Sequence, residues 1–341
     1  MIHIVGAGIA GLTLAERLQE QGVDFRVYEK EASCGAAASG KNAGIIRSYE
    51  VDPSLVPFAL ESLRYYRTHE PSFDACGLLL RPWEIDYTQK DLQKMKFPHD
   101  EREGFFLPEN GVIRPQAVLS RLVEKLNSRI QYNSEITPVV RHSKIVALQV
   151  ATGSAHGGAQ HASTELDLAA DDQVVYCPGE MPESIHSDLR RVGGQLIAHE
   201  RTLMIFSNEA HESGPTVWDE EQGVYYRIDG EQVIATSGEQ IPVKNQSPSV
   251  GDIAALKQKL DTVFPVFRGR EILEHRTCRR VSPLDSRPVV GRDRKLENLF
   301  WFAGLGGRGM SLTPALSAML SDEITGARMM PHSLFSPDRF Y

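Results

Sequence analysis

The first thirty residues constrain this chain more than any other stretch. Ile2-His3-Ile4-Val5 reads as a buried strand and runs straight into Gly6-Ala7-Gly8-Ile9-Ala10-Gly11. Ile9, Leu12, Ala15 and Leu18 then recur at helical spacing, with Glu16, Arg17 and Glu20 on the other side, and Gly22 ends the helix. A second strand, Phe25-Arg26-Val27-Tyr28, closes on an acid, Glu29. The order strand, glycine turn, helix, strand gives each glycine a task. Gly6 permits a tight turn, Gly8 lets the backbone approach a pyrophosphate, and Gly11 lets the helix pack on the strand. The helix start offers N–H groups and a partial positive charge to phosphates. Glu29 can accept hydrogen bonds from ribose hydroxyls, and its charge would repel a 2′-phosphate. A bound dinucleotide is the expectation.

Three further segments decide which dinucleotide. Gly35 to Gly44 ends in Ser39-Gly40-Lys41-Asn42-Ala43-Gly44, small enough to lie against a flat ring system. Val174-Val175-Tyr176 is a strand running into the turn Cys177-Pro178-Gly179, which can pass close to a pyrophosphate. Leu299 to Ala303 is a strand, Gly304-Leu305-Gly306-Gly307-Arg308-Gly309 a glycine turn, and Thr313 to Ile324 a helix with Pro314 at its first position. Such a helix start can hold negative charge developing at the edge of a reduced flavin ring. FAD fits these segments better than NAD.

In this order the segments resemble the D-amino-acid-oxidase-type FAD oxidoreductases, the group that includes glycine oxidase and sarcosine oxidase. The resemblance covers roughly residues 1–50 and 275–326. Its strongest C-terminal match is Arg280 to Gly291, where Asp285, Pro288 and Gly291 fall as in the pattern R-x-x-x-x-D-x-x-P-x-x-G. It implies an extended FAD contacted by Gly6, Ala7, Gly8, Ile9, Ala10, Gly11, Glu29, Lys30, Val139, Cys177, Pro178 and Gly179. The ring would lie between Ser39, Gly40, Lys41, Asn42, Ala43 and Gly44 on one side and Gly304, Leu305, Gly306, Gly307, Arg308, Gly309, Met310, Ser311 and Leu312 on the other. Non-covalent FAD is expected. Cys278 stands where sarcosine-oxidase-like relatives carry the cysteine linked to flavin, so covalent attachment is the alternative. Those relatives lack arginine at the position of Arg280, and glycine-oxidase-like members can carry arginine at that of Gly307.

The expected fold is α/β, with a Rossmann-like FAD-binding domain assembled from both chain ends (1–75, 114–190 and 275–341). An antiparallel-sheet substrate domain (76–113 and 191–274) is inserted, with strands between 77 and 113, an antiparallel sheet from Gly194 to about Gly238, and a helix over Asp252 to Phe264. Thr152 to Asp172, rich in Gly, Ala, His and Asp, reads as an exposed hairpin or loop.

The resemblance implies that Arg280 binds a substrate carboxylate, since a guanidinium fork meets both oxygens at once. A tyrosine hydroxyl over the substrate is expected from Tyr226 or its neighbour Tyr225, and Arg308 is a candidate second anion contact. The implied reaction is oxidation of a small amine or amino acid by hydride transfer from the α carbon to flavin N5, with oxygen or an electron carrier as acceptor. A 2-hydroxy acid dehydrogenase, or a partner-dependent flavin subunit without catalysis, are the alternatives.

Composition excludes other classes. Across 341 residues, 41% hydrophobic and 24% charged is ordinary for a soluble globular chain. A net charge of −8 without a basic run argues against a nucleic-acid partner. Cys34, Cys76, Cys177 and Cys278 lie far apart, and the histidines are scattered, so neither a disulfide framework nor a metal site is expected. No apolar run reaches the ~18 residues of a membrane span, and the chain opens directly into a fold element; a cytoplasmic protein is the expectation.

Overall fold

The computed structural model describes residues 1–81, 93, 100–102, 104–152, 162–181, 187–209, 211–236, 241–242, 250–328 and 334–341. Ile2–Val5 lies inside a six-stranded sheet in the order 289–292, 299–303, 173–176, 2–5, 25–28, 130–131. All neighbours run parallel except Val289–Arg292, which is antiparallel to Leu299–Ala303. The two ends of the chain therefore share one sheet.

Both faces of that sheet are covered. Ile2, Ile4, Phe25, Val27, Val175, Phe300 and Phe302 pack against the helices Ile9–Glu20, Pro115–Leu126 and Gly309–Thr325. Val5, Tyr28, Val174, Tyr176, Leu299 and Trp301 face the other way, onto Ile136, Ile145, Leu148 and Val150. These belong to a three-stranded antiparallel sheet of Ser134–Arg141, Lys144–Thr152 and Ala162–Asp167. Double coverage is why the parallel strands read as apolar runs instead of alternating. Each fully buried side chain here, Phe300 for example, contributes about 1.5–3 kcal/mol by leaving water.

The second sheet runs 241–242, 197–207, 232–236, 224–229, 216–219, 78–81, 104–107, 100–102, and Glu274–Ser282 also pairs with Ile197–Ser207. Its two faces alternate by residue. Met204, Phe206, Val224, Val233 and Ala235 pack on Leu256 and Leu260 of the helix Val250–Val263. Leu203, Ile205, Tyr225 and Ile234 face the opposite way, toward Ala43, Ile45 and Val112. We call this second surface the inner face, because it looks toward Ala43, at the end of the segment expected to face the ring.

The structure refines several sequence expectations in detail. Glu274–Ser282 belongs to the antiparallel sheet, so the strand carrying Arg280 crosses the boundary expected at 275. Of the hairpin or loop expected over Thr152 to Asp172, the hairpin holds: Ala162–Asp167 is a strand paired antiparallel with Lys144–Thr152, and the pairing supplies backbone hydrogen bonds whatever the side chains. The last helix begins at Gly309 and takes in Pro314. A proline lacks a backbone donor, and the next N–H, that of Ala315, donates to Ser62 Oγ at 3.2 Å. Between 77 and 113 the strands are Leu78–Arg81, Asp100–Arg102, Gly104–Leu107 and Gly111–Val112; residues 82–92, 94–99 and 103 lie outside the described residues. No helix among the described residues is long and apolar enough to cross a membrane.

Candidate cofactor cradle and substrate face

The glycine turn at the N-terminus separates what the fold requires from what a ligand requires. Gly6 has φ +105°, and a Cβ there would stand 2.3 Å from the Cys177 carbonyl oxygen. A Cβ on Gly11 would stand 2.0 Å from the Gly6 carbonyl oxygen. Both glycines are demanded by the protein's own backbone. Gly8 is different. Its φ of −78° suits any residue, and a Cβ would meet only Ser39 Oγ, at 3.2 Å. Glycine at position 8 keeps clear a space that a larger side chain would fill, directly before a helix with no side-chain cap and no acid in its first turn. An extended dinucleotide fits that cradle, with its phosphates at the helix start.

Around this space the predicted segments converge. Ile9 N–H donates to Ser39 Oγ at 3.0 Å. The Glu29 carboxylate accepts from Ala7 N–H at 2.8 Å and from Glu31 N–H at 3.0 Å. Burial pushes this carboxyl above its usual value, against the pull of those two N–H groups. Cys177 N–H donates to Val5 O at 2.8 Å, which carries the turn Cys177-Pro178-Gly179 across the first glycines. A Cβ on Gly309 would lie 3.3 Å from Ile9 Cγ2, so the last helix starts beside the first. Thr13 Oγ1 and Ser317 Oγ, 2.7 Å apart, tie the two helices together, and Ser311 Oγ donates to Ile45 O at 3.4 Å. The last helix also lacks a side-chain cap and a first-turn acid. Gly44 N–H donates to Asn42 Oδ1 at 2.7 Å, Gly40 N–H to Gly35 O at 2.8 Å, and Ala43, Met310 and Leu312 are buried. Val139 sits half-buried on the strand whose Ser134 N–H donates to Glu29 O at 2.8 Å. Lys30 and Lys41 are exposed; their side chains stand in solvent.

Opposite this cradle stands Arg280. Gly306 N–H donates to Val281 O at 2.8 Å, which docks the C-terminal glycine turn against Arg280's strand. A Cβ on Gly307 would stand 2.9 Å from Arg280 Nη1. Glycine at 307 thus leaves room for the Arg280 guanidinium, which even a Cβ there would crowd. Its Nη2 lies 3.4 Å from the Tyr225 hydroxyl. The adjacent Arg279 points to the other face and meets Glu180 at 2.8 Å and Glu200 at 3.4 Å. One arginine is braced by carboxylates, and the other is turned to the inner face.

Two sequence expectations need correction. Tyr226 is on the far face, edge-on to Phe264 and Phe267 with ring centroids 5.0 and 5.4 Å away. Strand alternation places Tyr225, not Tyr226, beside Arg280. Arg308 Nε donates to Glu50 at 2.8 Å and its Nη1 to Ser286 O at 3.1 Å. Glu50 is also gripped by Arg47 through two bonds of 3.0 Å. Arg308 therefore braces the glycine turn against residues 47–50, sharing the Glu50 carboxylate with Arg47.

Sequence reasoning missed the rest of this wall. The Arg47 guanidinium lies 4.4 Å above the Trp218 ring, and Trp218 lies 4.8 Å from the Tyr225 ring. Burial pushes the Glu220 carboxyl up, against the Arg47 charge. Arg201 is 8% exposed on the inner face. The parity of Arg201 with Leu203 and Ile205 was the available signal, but parity names a face only once a partner strand is known. Cys278, buried, sits opposite Arg201 across the strand pair.

Comparison with known proteins identifies the family. Residues 1–323 match the family described as DAO, FAD dependent oxidoreductase. Among characterised sequences, the tRNA 5-methylaminomethyl-2-thiouridine biosynthesis bifunctional protein MnmC of Campylobacter jejuni is 30% identical over 149 residues, 39% of this chain. The match takes in only 23% of that protein's length. Among solved structures, L-proline dehydrogenase from P. horikoshii superposes with a TM-score of 0.82 at 18% identity, covering 99% of this chain and 97% of the other. Glycine oxidase from Bacillus cereus ATCC 14579 gives 0.78 at 16%, covering 96% and 95%.

Proposed function

Because the chain belongs to the FAD dependent oxidoreductase family, and is an oxidoreductase, we propose that it oxidises a small amino acid or amine held by its carboxylate on Arg280. The observation that carries this is the Arg280 guanidinium, turned away from the carboxylates that hold Arg279 and set between Gly307 and the Tyr225 hydroxyl. The proteins of similar fold named as proline dehydrogenase and glycine oxidase support an amino-acid substrate.

The chain's own residues would hold and orient. Gly6 to Gly11, Glu29, Ser39 and the turn at Cys177 would hold FAD non-covalently, and Gly304 to Leu312 would flank its ring. Bound there, flavin supplies a hydride acceptor at N5 for the substrate's α carbon. Arg280 would clamp the carboxylate in a fixed plane, with the Tyr225 hydroxyl as second donor. Trp218 packs on Tyr225 and backs its ring on that side. Fixing the α carbon in place lowers the barrier mainly through orientation. No side chain on this face needs to act as a base if the amine arrives neutral.

Anaerobic bleaching of the flavin across amino acids, N-methyl amino acids, simple amines and 2-hydroxy acids tests the proposal. Reduction by amino acids is expected, with FAD released on denaturation. Reduction by hydroxy acids alone would replace the proposal with a 2-hydroxy acid dehydrogenase. A flavin that none of them reduces would favour a partner-dependent subunit, and a flavin retained after denaturation would point to a bond at Cys278.

A further inference from the structure

We infer that Glu50 is a positioning residue of the reaction: its one carboxylate fixes the turn beside the flavin ring relative to the wall beside Arg280. The inference rests on the proposed function, which sets the ring at Gly304 to Leu312 and a substrate carboxylate on Arg280.

Glu50 is 1% exposed. Its Oε1 accepts from Arg47 Nε at 3.0 Å, and its Oε2 accepts from Arg47 Nη2 at 3.0 Å and Arg308 Nε at 2.8 Å. Each arginine leads to one half of the site. Arg308 stands at the start of the last helix, where its N–H donates to Leu305 O at 2.9 Å and its carbonyl accepts from Leu312 N–H at 3.0 Å. Arg47 leads the other way. Its guanidinium lies 4.4 Å over the Trp218 ring, Trp218 lies 4.8 Å from the Tyr225 ring, and the Tyr225 hydroxyl lies 3.4 Å from Arg280 Nη2. Arg280 Nη1 in turn borders Gly307, whose Cβ would stand 2.9 Å away. The contacts therefore close into a circuit that returns to Glu50 through Arg308.

Within that circuit the ring contacts and the 3.4 Å bond are soft. The Glu50 links are the stiff ones, being charge-assisted and made by a buried carboxylate. A buried carboxylate–guanidinium cluster is often no more stabilising than apolar packing. What it adds is direction, because a planar fork meets a planar carboxylate at a fixed angle. Glu220 also feels the Arg47 charge, but burial and then the Glu50 charge push its carboxyl up, which makes it the poorer counter-charge. Transfer from the α carbon depends on distance and angle to the ring, and a misplacement of ~1 Å can cost about a hundredfold. A carboxylate that touches neither partner can thus govern the rate through its two arms.

Glu50→Gln keeps the shape and removes the charge. The flavin-loaded variant is mixed anaerobically with the amino acid that bleaches the unaltered protein fastest, and the rate constant is taken per loaded flavin. At saturating substrate it should fall roughly tenfold to a hundredfold. The visible circular dichroism of the bound flavin should change with it. Propionate affinity, read from flavin absorbance, should change far less, because Arg280 still presents its fork. A loaded variant with the unaltered rate constant overturns the inference, since a merely structural residue lowers only the yield of loaded protein. If Glu50→Gln does not fold, Arg308→Gln decides, because Arg308 is only half-buried and the change leaves Glu50 with Arg47. The rate constant should fall there too, and an unaltered one overturns the inference. Failure of the parent proposal looks different: no amine reduces the flavin of the unaltered protein. Visible circular dichroism then decides on Glu50 without turnover. A changed spectrum keeps its hold on the ring, and an unchanged one removes it.

Discussion

At the cradle, Gly6 is pinned by the Cys177 carbonyl and Gly11 by the Gly6 carbonyl, and Glu29 accepts from the Ala7 and Glu31 backbone. On the inner face, Tyr225 stands beside Arg280, while Tyr226 packs on Phe264 and Phe267 behind the sheet. The first region is specified by main-chain atoms, most of them within residues 6–31, with the Cys177 carbonyl brought in by the neighbouring parallel strand. The second is specified by side chains brought together from the strands 197–207, 224–229 and 274–282. Changes in the cradle should therefore remove the cofactor, and changes on the face should spare it and alter the reaction.

The sharpest break between the two regions lies inside the glycine turn. Gly8→Val is compatible with the local backbone and meets only Ser39 Oγ, so the chain should fold yet purify almost free of flavin absorbance. Gly6→Val forces a side chain into the Cys177 carbonyl at positive φ, and should lower the folded yield itself. Circular dichroism and flavin content together separate these outcomes. A yellow Gly8→Val protein would move the pyrophosphate elsewhere.

On the face, Arg280→Lys should keep normal FAD and lose activity, because a lysine cannot match both carboxylate oxygens in one plane. A charged hydrogen bond is worth about 1.5–3 kcal/mol, so kcat/KM should fall on the order of tenfold to a hundredfold. Esterifying the best substrate should cost the unaltered enzyme a similar factor and the variant little. Equal losses in both would show that Arg280 does not read the carboxylate.

The tyrosine pair sharpens the comparison at smaller scale. Tyr225→Phe removes a neutral hydroxyl worth about 1 kcal/mol, so kcat/KM should fall roughly fivefold. Tyr226→Phe should change it by less than about twofold, since an aromatic ring still packs on Phe264 and Phe267. The reverse order would place the wrong tyrosine on the inner face.

The smallest expected effect concerns Glu29, whose carboxyl burial holds above its usual value. An acid raised in the folded state stabilises the fold at low pH and loses that contribution as pH rises through the raised value. FAD affinity should run the other way, since only the carboxylate accepts from ribose hydroxyls without giving up an oxygen to a proton. It should weaken modestly as pH falls through that range, and Glu29→Gln should flatten the profile. Fluorescence of released FAD measures both.

Sequence alone determined the dinucleotide half of this protein. Gly6, Gly8, Gly11 and Glu29 lie within one βαβ unit, and the physics of a tight turn and a helix start acts over only a few residues. The segments at Ser39, Cys177 and Gly304 were readable for the same reason, since each is a local strand-end or turn built of small residues. Only the tertiary structure chose Tyr225 over Tyr226, set Arg308 on Glu50 and brought Arg201 near Arg280. The tyrosine and Arg201 placements depend on which strands pair and in what register, and the Arg308–Glu50 contact on how the C-terminal turn docks against residues 47–50. A shift of one residue exchanges the two faces of a strand while leaving its composition unchanged, so the local pattern carries no record of which side chains meet.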